Sequence, residues 1–179
     1  TPTPATAAPT SIEQGFAATL AQTAPIVSTA GWHGTTGTEA WHALAVASAG
    51  DRPAARWQYA LGLIGEGNAS DALGVLDVML ADEKDLALAP NFQLARGAAL
   101  AMLDRDEEAV KSLAAIELAQ NPEACAWRLL AFSHAAKSVE ALRELHCALP
   151  ALNARHGAAR APFVLAAASA ALDTHQFPG

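Results

Sequence analysis

PAARWQYALGLIGEGNASDALGVLDVML, residues 53–80, decides the fold. It predicts one helix over Pro53 to Gly65, a turn at Glu66-Gly67-Asn68 and a second helix over Ala69 to Leu80. Proline costs little at a first helical position, because its missing N–H has no intrahelical acceptor there and its φ is already set. Three further prolines, Pro90, Pro122 and Pro162, open similar runs, so the four are spaced by 37, 32 and 40 residues. Aligned on the prolines, a small residue or leucine falls seven positions on (Ala60, Gly97, Leu129). An alanine falls nineteen positions on in each complete unit (Ala72, Ala109, Ala141). Self-similarity of this length marks stacked helical hairpins.

Composition agrees. Hydrophobic residues make up 52% of the 179 but aromatics only 6%, and about a quarter of the chain is alanine. Alanine has the best helix propensity and lets helices approach closely. Long β-branched alternations, the strand signal, are missing. The expected class is all-α, a right-handed α-solenoid of helical hairpins with flanking N-terminal helices.

The charge excludes some partners. A net charge of −7 with 11 Lys and Arg, scattered along the chain, gives no cation cluster to displace phosphate counterions, so no nucleic acid is expected. The same deficit disfavours an anionic membrane surface. No run approaches the roughly 18 apolar residues of a spanning helix, so no membrane insertion of this segment is expected.

Four segments follow. Residues 1–10, rich in Thr, Pro and Ala, read as a disordered linker or tail. Residues 11–52 hold two helices outside the repeat register. The first covers Ile12 to Gln22 and is capped by Ser11 with Gln14. The second covers Glu39 to Ala49, is capped by Thr38 and closed by Gly50-Asp51, and follows a loop at Gly31 to Gly37. Residues 53–149 hold three hairpins. The second runs from Pro90 to Leu103, turns at Asp104-Arg105-Asp106 and continues from Glu107 to Gln120. Asn121 caps the third, Pro122 to Ala136 and Ser138 to Leu149, which Pro150 stops. Residues 150–179 form a connector and a final helix, Pro162 to Leu172, apolar nearly all round. A terminal helix of a repeat array should show water a polar face. The favoured expectation is therefore a fourth repeat cut short after its first helix; the alternatives are cover by the N-terminal segment or by another chain.

These residues resemble the tetratricopeptide repeat (TPR) family. In that pattern small residues at positions 8 and 20 let the paired helices touch, here Ala60/Ala72, Gly97/Ala109 and Leu129/Ala141. Larger residues follow at 24 and 27, here Leu76/Met79, Leu113/Ile116 and Leu145/Ala148. The match covers residues 53–149 and one further helix. It implies a concave groove lined by first-helix positions 2, 5, 9 and 12: Ala54, Trp57, Leu61 and Ile64; Asn91, Leu94, Ala98 and Ala101; Glu123, Ala126, Leu130 and Ser133. Partner-binding is expected chiefly at Trp57, Leu61, Ile64, Asn91, Leu94, Ala98 and Leu130. Only Asn91 matches the Lys, Arg and Asn of TPR clamps for acidic peptide tails, so an apolar ligand is implied instead. The alanine-rich style is also similar to TPR segments of bacterial cell-envelope proteins, which implies a periplasmic location and leaves a cytoplasmic one open.

Candidate chemistry is sparse. Cys125 and Cys147 face each other across hairpin three. Two buried thiols are the ordinary reading, and a disulfide, implying an oxidising compartment, is the alternative. His146 beside Cys147 suggests a metal only weakly, because neighbours on a helix diverge by about 100°. The other histidines lack ligand spacing. Trp32 and Trp41 are expected to pack on the first hairpin. No catalytic constellation or phosphate-cradling loop stands out. No enzyme activity, metal or cofactor is expected. The function implied is a protein–protein interaction scaffold that binds a peptide or helix of a partner. The alternatives are a homodimer-forming module and a non-catalytic accessory domain of a longer enzyme or membrane protein.

Overall fold

The computed structural model describes residues 15–174, and these fold as an all-helical chain without strands among them. Nine α-helices are described: α1 (Phe16–Ala21), α2 (Gly37–Val46), α3 (Arg52–Gly65), α4 (Ala69–Asp82), α5 (Pro90–Met102), α6 (Asp106–Ser112), α7 (Pro122–His134), α8 (Ser138–Ala154) and α9 (Ala161–Asp173). The four prolines stand at the first or second position of α3, α5, α7 and α9. Helices α3 and α4, α5 and α6, and α7 and α8 pack as pairs, while α5 also lies on α3 and α4, α7 on α5 and α6, and α9 on α7 and α8.

The three hairpin turns share one backbone device. Gly67, Asp104 and Ala136 stand fourteen residues after their prolines, and all have positive φ, at 82°, 56° and 55°. In each, the next amide reaches back to a carbonyl one turn inside the helix: Asn68 to Leu63, Arg105 to Leu100 and Lys137 to Phe132, at 2.8–3.0 Å. This left-handed cap closes the orphan carbonyls of a helix end. Only the first hairpin uses the glycine that adopts this conformation freely.

Small residues set the helix crossings. Ala72, Ala109 and Ala141 are fully buried. A β-carbon at Gly97 would stand 2.5 Å from Leu113 Cγ, so no side chain fits between α5 and the start of the 113–119 segment.

The structure corrects several boundaries. The cap of α2 is Thr36, whose hydroxyl accepts the Glu39 amide while Glu39 returns a bond to the Thr36 amide; Thr38 lies inside the helix. That helix ends at Val46, and Gly50-Asp51 leads into α3, with Ser48 Oγ bonded to Asp51. Helix α6 stops at Ser112, well short of Gln120. The buried Arg128 takes the carbonyls of Leu113, Leu118 and Ala119 at 2.9–3.2 Å and drives this stretch into a loop and short 3-10 turn. Ile116 is consequently exposed rather than packed. Pro150 does not stop α8, which runs to Ala154. Its exposed face leaves the carbonyl one turn back open to water, while Ala148, Ala151 and Leu152 remain buried. Cys125 and Cys147 are joined by a disulfide, with Cα atoms 5.8 Å apart, so the free-thiol reading gives way. Asn121 does cap α7, accepting the Ala124 amide at 3.0 Å. The Ser11/Gln14 cap, the 1–10 tail and His175 lie outside the described residues.

No described helix is long and apolar enough to cross a membrane. On α9, Phe163, Ala166 and Ala170 are buried, whereas Val164, Leu165 and Leu172 are exposed. The described N-terminal segment does not cover that face. Instead α1 packs on α5 and on the 84–88 turn.

Candidate functional site

The residues expected to line a groove share one face of α3, α5 and α7, and that face is not open. Trp57, Leu61, Ile64, Asn91, Leu94, Ala98 and Leu130 are all buried, Leu94 and Ala98 completely. Part of their cover is the chain's own arm, residues 15–37, which crosses the three hairpins.

Polar side chains at the starts of α5 and α7 and at the ends of α3 and α4 hold this arm. Asn91, at position 2 of its hairpin, accepts the Ile26 amide at 2.9 Å and donates to Thr23 Oγ1 and the Ala24 carbonyl at 2.9 and 3.0 Å. Asn121, while capping α7, donates to the Ile26 carbonyl at 2.9 Å. Ile26 is therefore read through both backbone groups, as a neighbouring strand would read it. Glu83 accepts the Ala17 amide at 3.0 Å, and Glu66 the Gly37 amide at 2.7 Å.

Glu123, at the position in hairpin three that matches Asn91, anchors the far end. Its carboxylate, fully buried, accepts Trp32 Nε1 at 3.1 Å and a two-pronged pair from Arg155 at 3.0 and 2.6 Å. Arg155 also donates to the Ala151 carbonyl and stacks on the Phe163 ring, 4.4 Å from its centroid. Burial of such a pair is tolerable only because every donor facing it is engaged. Trp32 thus packs on the first hairpin, as expected, and also reaches the third with its indole. Trp41 stays half-exposed, its ring 5.5 Å from Tyr59 on α3. Gly65 permits the arm's passage: a β-carbon there would stand 2.5 Å from the Trp32 carbonyl oxygen.

Beyond Trp32 the face opens into a cleft of about 510 Å³. The C-terminal ends of α3, α5 and α7 form one side (Ile64, Gly65, Met102, Leu130, His134), and Ala158, Ala159, Pro162 and Phe163 the other. Its walls are mainly apolar. Trp127 and Phe163 meet edge to face at 5.0 Å, and Trp127 Nε1 is buried without a hydrogen-bond partner. Glu66 and Asp104 place carboxylates at the rim. His134 Nδ1 stands 3.3 Å from Asp104 and 3.4 Å from Asp106, at ion-pair distance. Burial pushes the Asp106 carboxyl above its ordinary range, partly offset by His134. Among the described residues no group of three or more His, Cys, Asp or Glu, the His134 cluster included, is arranged to hold a metal ion. Nothing in the sequence marked Trp127, Arg155 or Phe163 as site residues, since they meet only through the α8–α9 corner.

No family model matches this chain, and no curated protein or solved structure matches it.

Proposed function

We propose that this protein is a protein–protein interaction scaffold, a TPR-like right-handed α-solenoid whose inner face binds a polypeptide segment of a partner. One observation carries the reading: that face already holds a polypeptide, residues 23–32, through side-chain bonds to its backbone from Asn91 and Asn121 and through a buried anchor at Glu123. A surface built to hold one segment in cis has the chemistry to hold another in the cleft that continues it. The role is binding rather than catalysis. The Cys125–Cys147 disulfide supports an oxidising compartment such as the periplasm, because cytosolic thiols are kept reduced.

Leu94 cannot serve as a probe of binding, since it is fully buried and an aspartate there would unfold the chain. Ala159, exposed at the cleft mouth, is the better one. In affinity capture from a cell-envelope extract, Ala159→Trp is expected to lose the partner that the native chain retains. Charge reversal of Glu107 and Glu108 at the hairpin tip should leave capture intact. Capture lost on tip reversal yet kept with Ala159→Trp would contradict the reading.

The exposed Val164, Leu165 and Leu172 on α9 favour a second reading, self-association through that face. Light scattering over a concentration series should then show a dimer that Leu165→Glu abolishes.

A further inference from the structure

We infer that the cleft between the ends of α3, α5 and α7 and the start of α9 takes a partner segment in which a bulky apolar side chain stands beside a lysine or arginine. This rests on the scaffold reading and specifies its ligand. Two observations define the occupant. The cleft, about 510 Å³, is large enough for one or two large side chains and is walled by Ile64, Met102, Leu130, Trp127 and Phe163. Its electrostatics favour a cation. Three helices end at it with the negative ends of their dipoles against the one positive end of α9, and Glu66 and Asp104 add carboxylates at the rim. Arg155, the guanidinium in the lining, is already neutralised by Glu123, and His134 is faced by two carboxylates, Asp104 and Asp106, at 3.3 and 3.4 Å.

An acidic or tail-carboxylate peptide would meet Glu66 and Asp104 with like charge.

The test uses the full chain against a random peptide-display library. Enriched peptides should pair a bulky apolar residue with Lys or Arg. The strongest should bind about tenfold more weakly to the Glu66→Gln/Asp104→Asn variant, which keeps shape and acceptors but removes the rim charge. They should not bind Ala159→Trp, which fills the mouth. Binding should also move the Trp127 indole N–H resonance, identified by its loss in Trp127→Phe. Circular dichroism of each variant should match the native chain; any that does not is replaced by Ala158→Trp at the same mouth. Peptides that bind Ala159→Trp and Ala158→Trp undiminished would leave the scaffold reading standing and overturn the cleft as its site. Enriched peptides without a basic residue, or unaffected by the loss of rim charge, would overturn the cationic specificity. No enrichment at all would count against both.

Discussion

The two halves of the face shared by α3, α5 and α7 are built alike and finished differently. Under residues 23–32, each buried polar group has its partner: Asn91 and Asn121 are bonded to the arm's backbone, and Glu123 to Trp32 and Arg155. Beyond Trp32 the same helices present apolar walls, two rim carboxylates and an indole N–H that bonds to nothing. The first half is satisfied from within the chain and reads as structure. The second ends in an open cleft with two carboxylates at its rim, and it is there that we propose a ligand binds. What separates the two halves is the set of polar side chains that meet the arm, because the apolar lining is alike in both.

The comparison breaks most severely at Glu123. Glu123→Ala would strand a buried guanidinium and free Trp32, and urea unfolding should show a loss of about 3–5 kcal/mol. Removing Asn91 acts on the filled half alone. Asn91→Ala forfeits bonds to Thr23, Ala24 and Ile26, for an expected loss of about 2 kcal/mol, and peptide binding in the cleft should be unchanged. The smallest effect lies beside the open half. The Asp106 carboxyl titrates above its ordinary 3.8 in the folded chain because of burial, so folding favours its protonated form. Its contribution is present below about pH 3.8 and fades as pH rises through the raised native value. Asp106→Asn should flatten stability across that window, measured by thermal unfolding at a series of pH values.

How much of this was legible beforehand depends on which interactions decide each feature. The four prolines and the alanines at 72, 109 and 141 announced the hairpins, because proline at a helix start and small residues at a crossing are local requirements. Local signals failed where distant groups overrode them. Arg128 ends α6 by capturing carbonyls fifteen and fewer residues away, and packing of Ala151 and Leu152 carries α8 through Pro150. The left-handed caps at Asp104 and Ala136 sit at the repeat position of Gly67, yet neither residue signals that conformation. At the site, the positions expected to line an open groove are buried, and the arm that covers part of them was not foreseen. Its contacts join residues 65 to 95 apart in sequence, and no periodicity records them.

The account turns on the arm being bound as a ligand would be, and amide exchange at Ile26 tests this most directly. Ile26 lies outside any helix, so its N–H owes its protection to Asn91 Oδ1 alone. Hydrogen exchange followed by NMR should find this amide strongly protected in the native chain and released in Asn91→Ala, with the α5 and α7 amides unchanged. An Ile26 amide that exchanges at the rate of an unstructured peptide in the native chain would contradict the account.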